Sequence, residues 1–356
     1  MKTPTAKESK ALSIENFLRE GDDHITVDVR SPGEYAYGHM TGAVNIPLFD
    51  DHERAEIGTL YKLKGKDEAV VRGIEIVSPK LAEFIRSVKE KSGSKKVHVY
   101  CFRGGMRSGS FCWLMETAGI EAFKLEGGYK NYRNKVLSLY KQPYPFILVG
   151  GSTGSGKTDI LKELQKKVQM IDLEGLAHHK GSAFGFIGQK KQPAQQQFEN
   201  DLYGQLVKLD KDSPVFLEDE SFSIGNVRLP YDLWLQMKAA PIVKIQVPFE
   251  LRVKRLVAEY GQVSIETLRR PLLAIQTRLG GQHCKTALEY LDKGEMDKVA
   301  EITLHYYDKA YDHNHEKRKY ENVFVVETNV DDPAKNAELI YNFVQEKQFF
   351  KPRKDV

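Results

Sequence analysis

The sequence predicts an α/β protein built from two parallel-sheet domains, the second carrying a helical C-terminal part. Three observations predict this. Short apolar strands alternate with helical patterns through the first third of the chain. A complete G-x-x-x-x-G-K-[ST] loop, Gly151 to Thr158, stands between an apolar strand and a helical run. From Ser264 to about Tyr320 the pattern is helical. At 356 residues the chain is long enough for two independent cores.

The first domain, residues 12–140, reads as strands at Ile25–Arg30, Ala43–Pro47, Val97–Tyr100 and Ala122–Leu125, which implies a parallel sheet with helices on both faces. After the third of these comes Cys101-Phe102-Arg103-Gly104-Gly105-Met106-Arg107-Ser108 and then a helix ending near Gly119. A cysteine at the carboxyl end of a strand, facing the next helix N-terminus, has its thiolate favoured by the helix dipole, by backbone N–H groups and by arginine. Arg103 and Arg107 supply the charge, Gly104 and Gly105 would let the backbone curl toward the sulfur, and Ser108 closes the loop. Such a cradle holds a terminal chalcogen anion on the cysteine. Cys112, at helical spacing with Phe111, Met115 and Ala118, reads as core, and Cys284 as a free thiol.

The second domain, residues 141–356, is expected to begin in the proline-flanked segment from Lys141 to Pro145. The strand Pro145–Val149 leads into the glycine-rich loop. Gly151, Gly154, Ser155 and Gly156 would wrap a diphosphate with backbone N–H groups, Lys157 would neutralise it, and Thr158 would ligate Mg²⁺. The strand Val215–Leu217 ends in Glu218-Asp219-Glu220, where the magnesium-side carboxylate is expected; Glu218 and Asp219 point to opposite faces, and Asp219 is preferred for the metal. Residues 171–185, with His178 and His179, read as a polar substrate-lining stretch too irregular for core. Gln189 to Gln197 reads as mobile, with a lid over the phosphate site as one role. Arg252 and Arg255, on a helix after the strand ending at Val247, are candidates for reaching the diphosphate or for a solvated face. Arg269, Arg270 and Arg278 would bind RNA or merely belong to a supporting helical region.

Composition narrows the class. No apolar stretch approaches the length needed to span a bilayer, the N-terminus lacks a signal-peptide core, and three cysteines exclude a disulfide scaffold. A cytoplasmic enzyme is expected. The net charge of +4 is unevenly spread: residues 91–142 carry 10 basic and 3 acidic side chains, so the excess surrounds the cysteine loop. Lys95, Lys96, Arg103, Arg107, Lys124, Lys130, Arg133, Lys135 and Lys141 form a candidate face for a polyanion such as RNA, or a solvated flank.

The segments VDVRSPGEYAYGHMTGAVNIP, CFRGGMRS and LEGGY resemble the rhodanese family, in its order; Asp28, Arg30 and Glu34 in that match read as structural. With GGSTGSGKT, DLEGLAHHKGSAFG, FEN, LEDES and VPFELRVKRL following, the whole chain resembles the tRNA 2-selenouridine synthase family. The resemblance implies a rhodanese-like domain followed by a P-loop NTPase-like α/β domain. It also implies a transferase that replaces sulfur by selenium in wobble 2-thiouridine of tRNA, using selenophosphate, with S-geranylation by geranyl diphosphate as a partial reaction. Partners implied are the tRNA, selenophosphate and its synthetase, with no membrane; no tightly bound cofactor is expected, and Mg²⁺ is a candidate on the P-loop chemistry above. Two other readings stay open at this stage. One is an ATP-dependent rhodanese-type sulfurtransferase and kinase acting on RNA or a small acceptor; the other is an anion sensor attached to a kinase.

Overall fold

A computed structural model describes residues 10–19, 24–93, 96–318 and 322–349. Lys95 and Tyr320, at the edges of two of the readings above, lie outside the described residues. The chain divides into two compact units, Met1–Leu139 with Ala194–Asp201, and Tyr140–Pro193 with Leu202–Val356.

The first unit holds β1 (Ala11–Leu12), β2 (His24–Asp28), β3 (Val44–Asn45), β4 (Lys96–Tyr100) and β5 (Ala122–Leu125). They pair in the order β1-β5-β4-β2-β3, parallel throughout. The two central strands are apolar where they are most buried: Val27, Val97 and Val99 have no exposure, as a sheet covered on both faces requires. They pack with Phe84, Phe111, Cys112 and Met115 in one core. Cys112 is thus a packing residue, and burial, the largest influence on it, pushes its thiol up to about 12.

Asp28 and Arg30 are both buried and bonded to each other, Arg30 Nη2 reaching Asp28 Oδ2 at 2.6 Å and Gly38 O at 2.7 Å. The guanidinium also lies 3.8 Å from the Tyr129 ring centroid. Their work is to hold the turn after β2, a structural task.

The second unit contains β6 (Phe146–Gly150), β7 (Gln169–Ile171), β8 (Val215–Glu218), a short hairpin of β9 (Ser223–Ile224) and β10 (Val227–Arg228), β11 (Ile242–Gln246) and β12 (Val323–Glu327). Its main sheet is ordered β12-β11-β6-β8-β7, again all parallel. The helices Lys157–Leu164 and Pro333–Lys347 bury Ile160, Leu161, Ile340 and Val344 against it. A separate cluster of Leu268, Leu272, Ala287, Leu291 and Val299 binds the C-terminal helices together. Cys284, 1% exposed, belongs to that helical region as a core thiol.

Two expectations fail here. Residues 171–177 are not too irregular for core: Asp172 caps the helix Leu173–Ala177 by accepting from Gly175 N, and Leu173 and Ala177 are fully buried. The glutamine-rich segment has the tie points of fixed structure rather than of a lid. The Gln192 amide donates to Ala177 O and Ile224 O at 2.9 and 3.0 Å, and accepts from Asn226 N. From Gln195 the chain is helical.

Candidate active sites

In the first unit Cys101 follows the carboxyl end of central β4 and precedes the helix Met106–Thr117. It is 3% exposed. Burial raises the thiol, but the Ser108 hydroxyl at 3.3 Å, the backbone N–H groups of Ser108 and Arg103, and the Arg107 charge outweigh that cost, so the thiol lies below its ordinary value. Local sequence produces the geometry. Gly104 has φ +66°, and a Cβ there would press onto Leu125 O and the amide of Gly128.

Gly105 departs from its expected role. A Cβ there would meet nothing within 4 Å, so crowding does not demand glycine. The donors on the sulfur are the N–H groups of Arg103 and Ser108 instead of the two glycines.

The two arginines play different parts. Arg107 Nη1 donates to Glu34 Oε2 at 2.8 Å, and Glu34 also lies 3.6 Å from Arg54. Burial raises the Glu34 carboxyl, yet Arg107 brings it below the usual range. Glu34, read from sequence as structural only, therefore orients a charge beside the cysteine. The Arg103 side chain is exposed and makes no ion pair among the described residues, so it is the cation available to an incoming anion.

The basic face is weaker than its composition suggests. Arg107 pairs with Glu34, Arg133 with Glu199, and Lys135 with Glu15 at 3.3 Å, while Lys141 falls in the other unit. Net charge along a sequence counts these cations without the acids that folding sets against them.

In the second unit the P-loop leaves β6 and enters the helix Lys157–Leu164. Gly154 and Gly156 take φ +79° and +78°, which an L side chain rarely adopts. Lys157 Nζ donates to Gly151 O at 2.7 Å, and Ser155 is buried within the loop. A cavity of about 1020 Å³ opens over the loop; Lys157, Thr158, Asp219, Glu220, Glu174 and Arg255 line it.

The acids sort themselves by face. Glu218 is fully buried with Oε2 accepting from Leu173 N at 3.0 Å, and burial pushes its carboxyl well above the usual range, so it does not serve the cavity. Asp219 and Glu220 do. Thr158 Oγ1 donates to Glu174 Oε2 at 3.0 Å, and the Glu220 carboxyl is pushed well up by lost solvation and then by the nearby Glu174 charge. Sequence reasoning gave neither Glu174 nor Glu220 a role of its own: Glu220 stood in the acidic run, and Glu174 in the stretch 171–185 expected to line a substrate site, of which Glu174, Lys180, Gly181, Ser182 and Ala183 do line the cavity.

Arg252 neither lines the diphosphate cavity nor decorates a solvated face. It is 7% exposed, donates to both Asp308 oxygens at 2.8 and 2.7 Å, and donates to Thr153 O at 3.1 Å, so it clamps the P-loop to a distant helix. Arg255 does line the cavity, but Asp159 and Asp331 hold it. His178 caps a helix with φ +51° and its Nδ1 lies 2.9 Å from Lys191 O. Neither it nor His179, whose ring burial keeps below its usual basicity, lines the cavity.

Fold and site together define the class: an anion-cradled cysteine on a rhodanese-like domain, joined in one chain to a P-loop domain with helical C-terminal elements. The rhodanese-like domain profile matches residues 12–135, and that of the tRNA 2-selenouridine synthase AAA domain matches residues 144–336. The chain belongs to the tRNA 2-selenouridine synthase family, whose members are transferase-type enzymes. A protein of that name from Serratia proteamaculans is 36% identical over 333 residues, covering 84% of this chain and 88% of its own. Another, from Bordetella petrii, is 34% identical over 351 residues, covering 87% and 91%. Among solved structures, the N-terminal domain of a Clostridium difficile protein named for ATP/GTP binding is 44% identical, covering 36% of this chain and 99% of that one, with a TM-score of 0.35. Among the described residues no helix is long and apolar enough to cross a membrane.

Proposed function

We propose that this enzyme replaces sulfur by selenium in the wobble 2-thiouridine of tRNA, in two reactions divided between its two units. Family membership supports tRNA selenation as the overall activity. The observation that carries the division of labour is the presence in one chain of a depressed cysteine thiol beside an exposed arginine and, separately, of a diphosphate cradle over a large cavity.

In the first reaction the P-loop amides and Lys157 bind the diphosphate of geranyl diphosphate. The thiocarbonyl sulfur attacks the carbon bearing it, the C–O bond breaks, diphosphate departs and the N3 proton is lost. To grip the leaving group Lys157 exchanges its bond to Gly151 O for a charge-assisted one, which strengthens as charge develops. Mg²⁺ fits this site. Thr158 and Asp219 line the cavity over the loop with a hydroxyl and a carboxylate, the hard oxygen donors that such an ion takes. Thr158 and Asp219 would hold it. Bound there, the ion would supply charge that neutralises the diphosphate.

In the second reaction selenophosphate is held by Arg103 and the Cys101 loop. Hydrolysis gives phosphate and hydroselenide; selenium delivered at Cys101 attacks C2, and the C2–S bond breaks to release geranyl thiol. Geranylation matters because an alkylated sulfur leaves far more readily than a thiocarbonyl one. The buried, reduced cysteines fit a cytoplasmic setting.

Nucleoside mass spectrometry on 2-thiouridine tRNA incubated with both substrates tests the scheme. Wild type should give 2-selenouridine, Cys101→Ala should accumulate the geranylated nucleoside, and Lys157→Ala should give neither. Unchanged tRNA in the presence of ATP hydrolysis would refute it and favour a sulfurtransferase-kinase.

A further inference from the structure

A second cavity of about 600 Å³ lies in the P-loop unit, apart from the one over Lys157. Its walls come from Ser152 of the loop, from the end of β11 and the helix that follows it, and from Glu327 and Thr328 at the end of β12. The position is informative in itself. The chain leaves β6 for β7 and β8 on one side and then builds β11 and β12 on the other, so β6 and β11 flank the point where the sheet changes direction. Open parallel sheets bind ligands in the crevice outside the carboxyl ends of strands at that point.

The lining has the chemistry of a ring with a polar edge. Gln246 and Glu327 are register partners across β11 and β12, and the two-residue period places Lys244 on the same side of β11 as Gln246. Both Gln246 and Glu327 are exposed, and among the described residues neither side chain makes a hydrogen bond or ion pair. Beside them Val247, Pro248 and Phe249 form an apolar wall, the Phe249 ring already stacked on His305 at 4.7 Å. An amide and a carboxylate side by side next to an apolar wall offer a donor and an acceptor to a flat ligand, while the Lys244 ammonium lies 4.7 Å from the Tyr311 ring centroid.

We propose that this cavity receives the uracil ring of the RNA nucleotide being modified. The imide edge of that ring reads acceptor, N–H donor, acceptor. Glu327 accepts from N3–H, Gln246 donates to a flanking acceptor, and Pro248 and Phe249 cover a face. The cavity has room for the ring with its ribose. Naming uracil rests on the proposed function, whereas a subsite for a planar ring does not.

The test measures binding by the full chain without geranyl diphosphate or selenophosphate, so it is independent of the reaction scheme. Fluorescence anisotropy at fixed salt compares an anticodon stem-loop carrying wobble 2-thiouridine with the same stem-loop abasic at that position. Wild type should prefer the first by about tenfold or more, the worth of one well-paired base edge. Gln246→Ala and Glu327→Ala should each bring the ratio toward one with unchanged melting temperature, and Glu327→Gln, which keeps an acceptor oxygen, should restore part of it. A preference unchanged in both alanine variants would overturn the assignment. So would GTP or ATP binding that is lost in Glu327→Ala, because the cavity would then belong to a free nucleotide.

Discussion

At the residue scale the chemistry turns on how a nearly buried sulfur stays ionisable. Cys101 loses solvation, and the Ser108 hydroxyl, two backbone N–H groups and Arg107 more than replace it. The sign follows: with the folded value depressed, the thiolate persists below the usual thiol range, and its contribution is lost only as pH falls through the lowered value. Alkylation of Cys101 followed by mass spectrometry across pH should therefore report an apparent value below that of a free cysteine. Ser108→Ala should move it upward. The adjacent glycines separate just as cleanly. Gly104→Ala, forced to a positive φ and into Leu125 O, should cost at least about 1–2 kcal/mol and disable the loop. Gly105→Ala, with open space around it, should cost less than about 1 kcal/mol. Urea unfolding of both variants checks the contrast.

Elements position the sites by bringing distant residues together. The helix Phe249–Tyr260 supplies Arg252, which reaches Asp308 on the helix Met296–Arg318 and the carbonyl of Thr153 in the P-loop. The two partners are unequally buried, with side-chain exposures of 8% for Arg252 and 27% for Asp308. Removing the more exposed partner leaves the buried charge alone, which is the costlier loss. Asp308→Ala should accordingly destabilise by about 3 kcal/mol, more than Arg252→Ala. Arg252→Lys should not recover the wild-type value, because one ammonium cannot replace a fork that bonds both carboxylate oxygens. Thermal melts of the three variants decide this.

At the scale of the whole molecule, the two units carry separate cores and separate candidate anion sites. A ligand that binds only the folded P-loop should stabilise by about 2.7 kcal/mol at a hundred times its dissociation constant. Geranyl diphosphate with Mg²⁺ should raise the melting temperature of the full chain, and Lys157→Ala should abolish the rise while leaving Cys101 alkylation unchanged. Calorimetry and the alkylation assay together test whether the two sites are independently formed.

The sequence by itself determined the architecture, both loops and the family, because each depends on contiguous residues. Strand, glycines and helix start lie within about a dozen positions of Cys101 and of Lys157, and short-range sterics and dipoles dictate those conformations. Tertiary structure decided what stands around them. Glu34 meets Arg107 across 73 positions, Arg252 meets Asp308 across 56, and Glu174 meets Thr158 across 16. No local signal distinguishes such acids from solvated ones. That is why Arg252 read as a diphosphate contact or a solvated face, the basic face as a polyanion surface or a solvated flank, and Glu174 only as one residue of a polar stretch: charge pairing and burial are properties of the space the fold encloses, and periodicity along a chain does not record them.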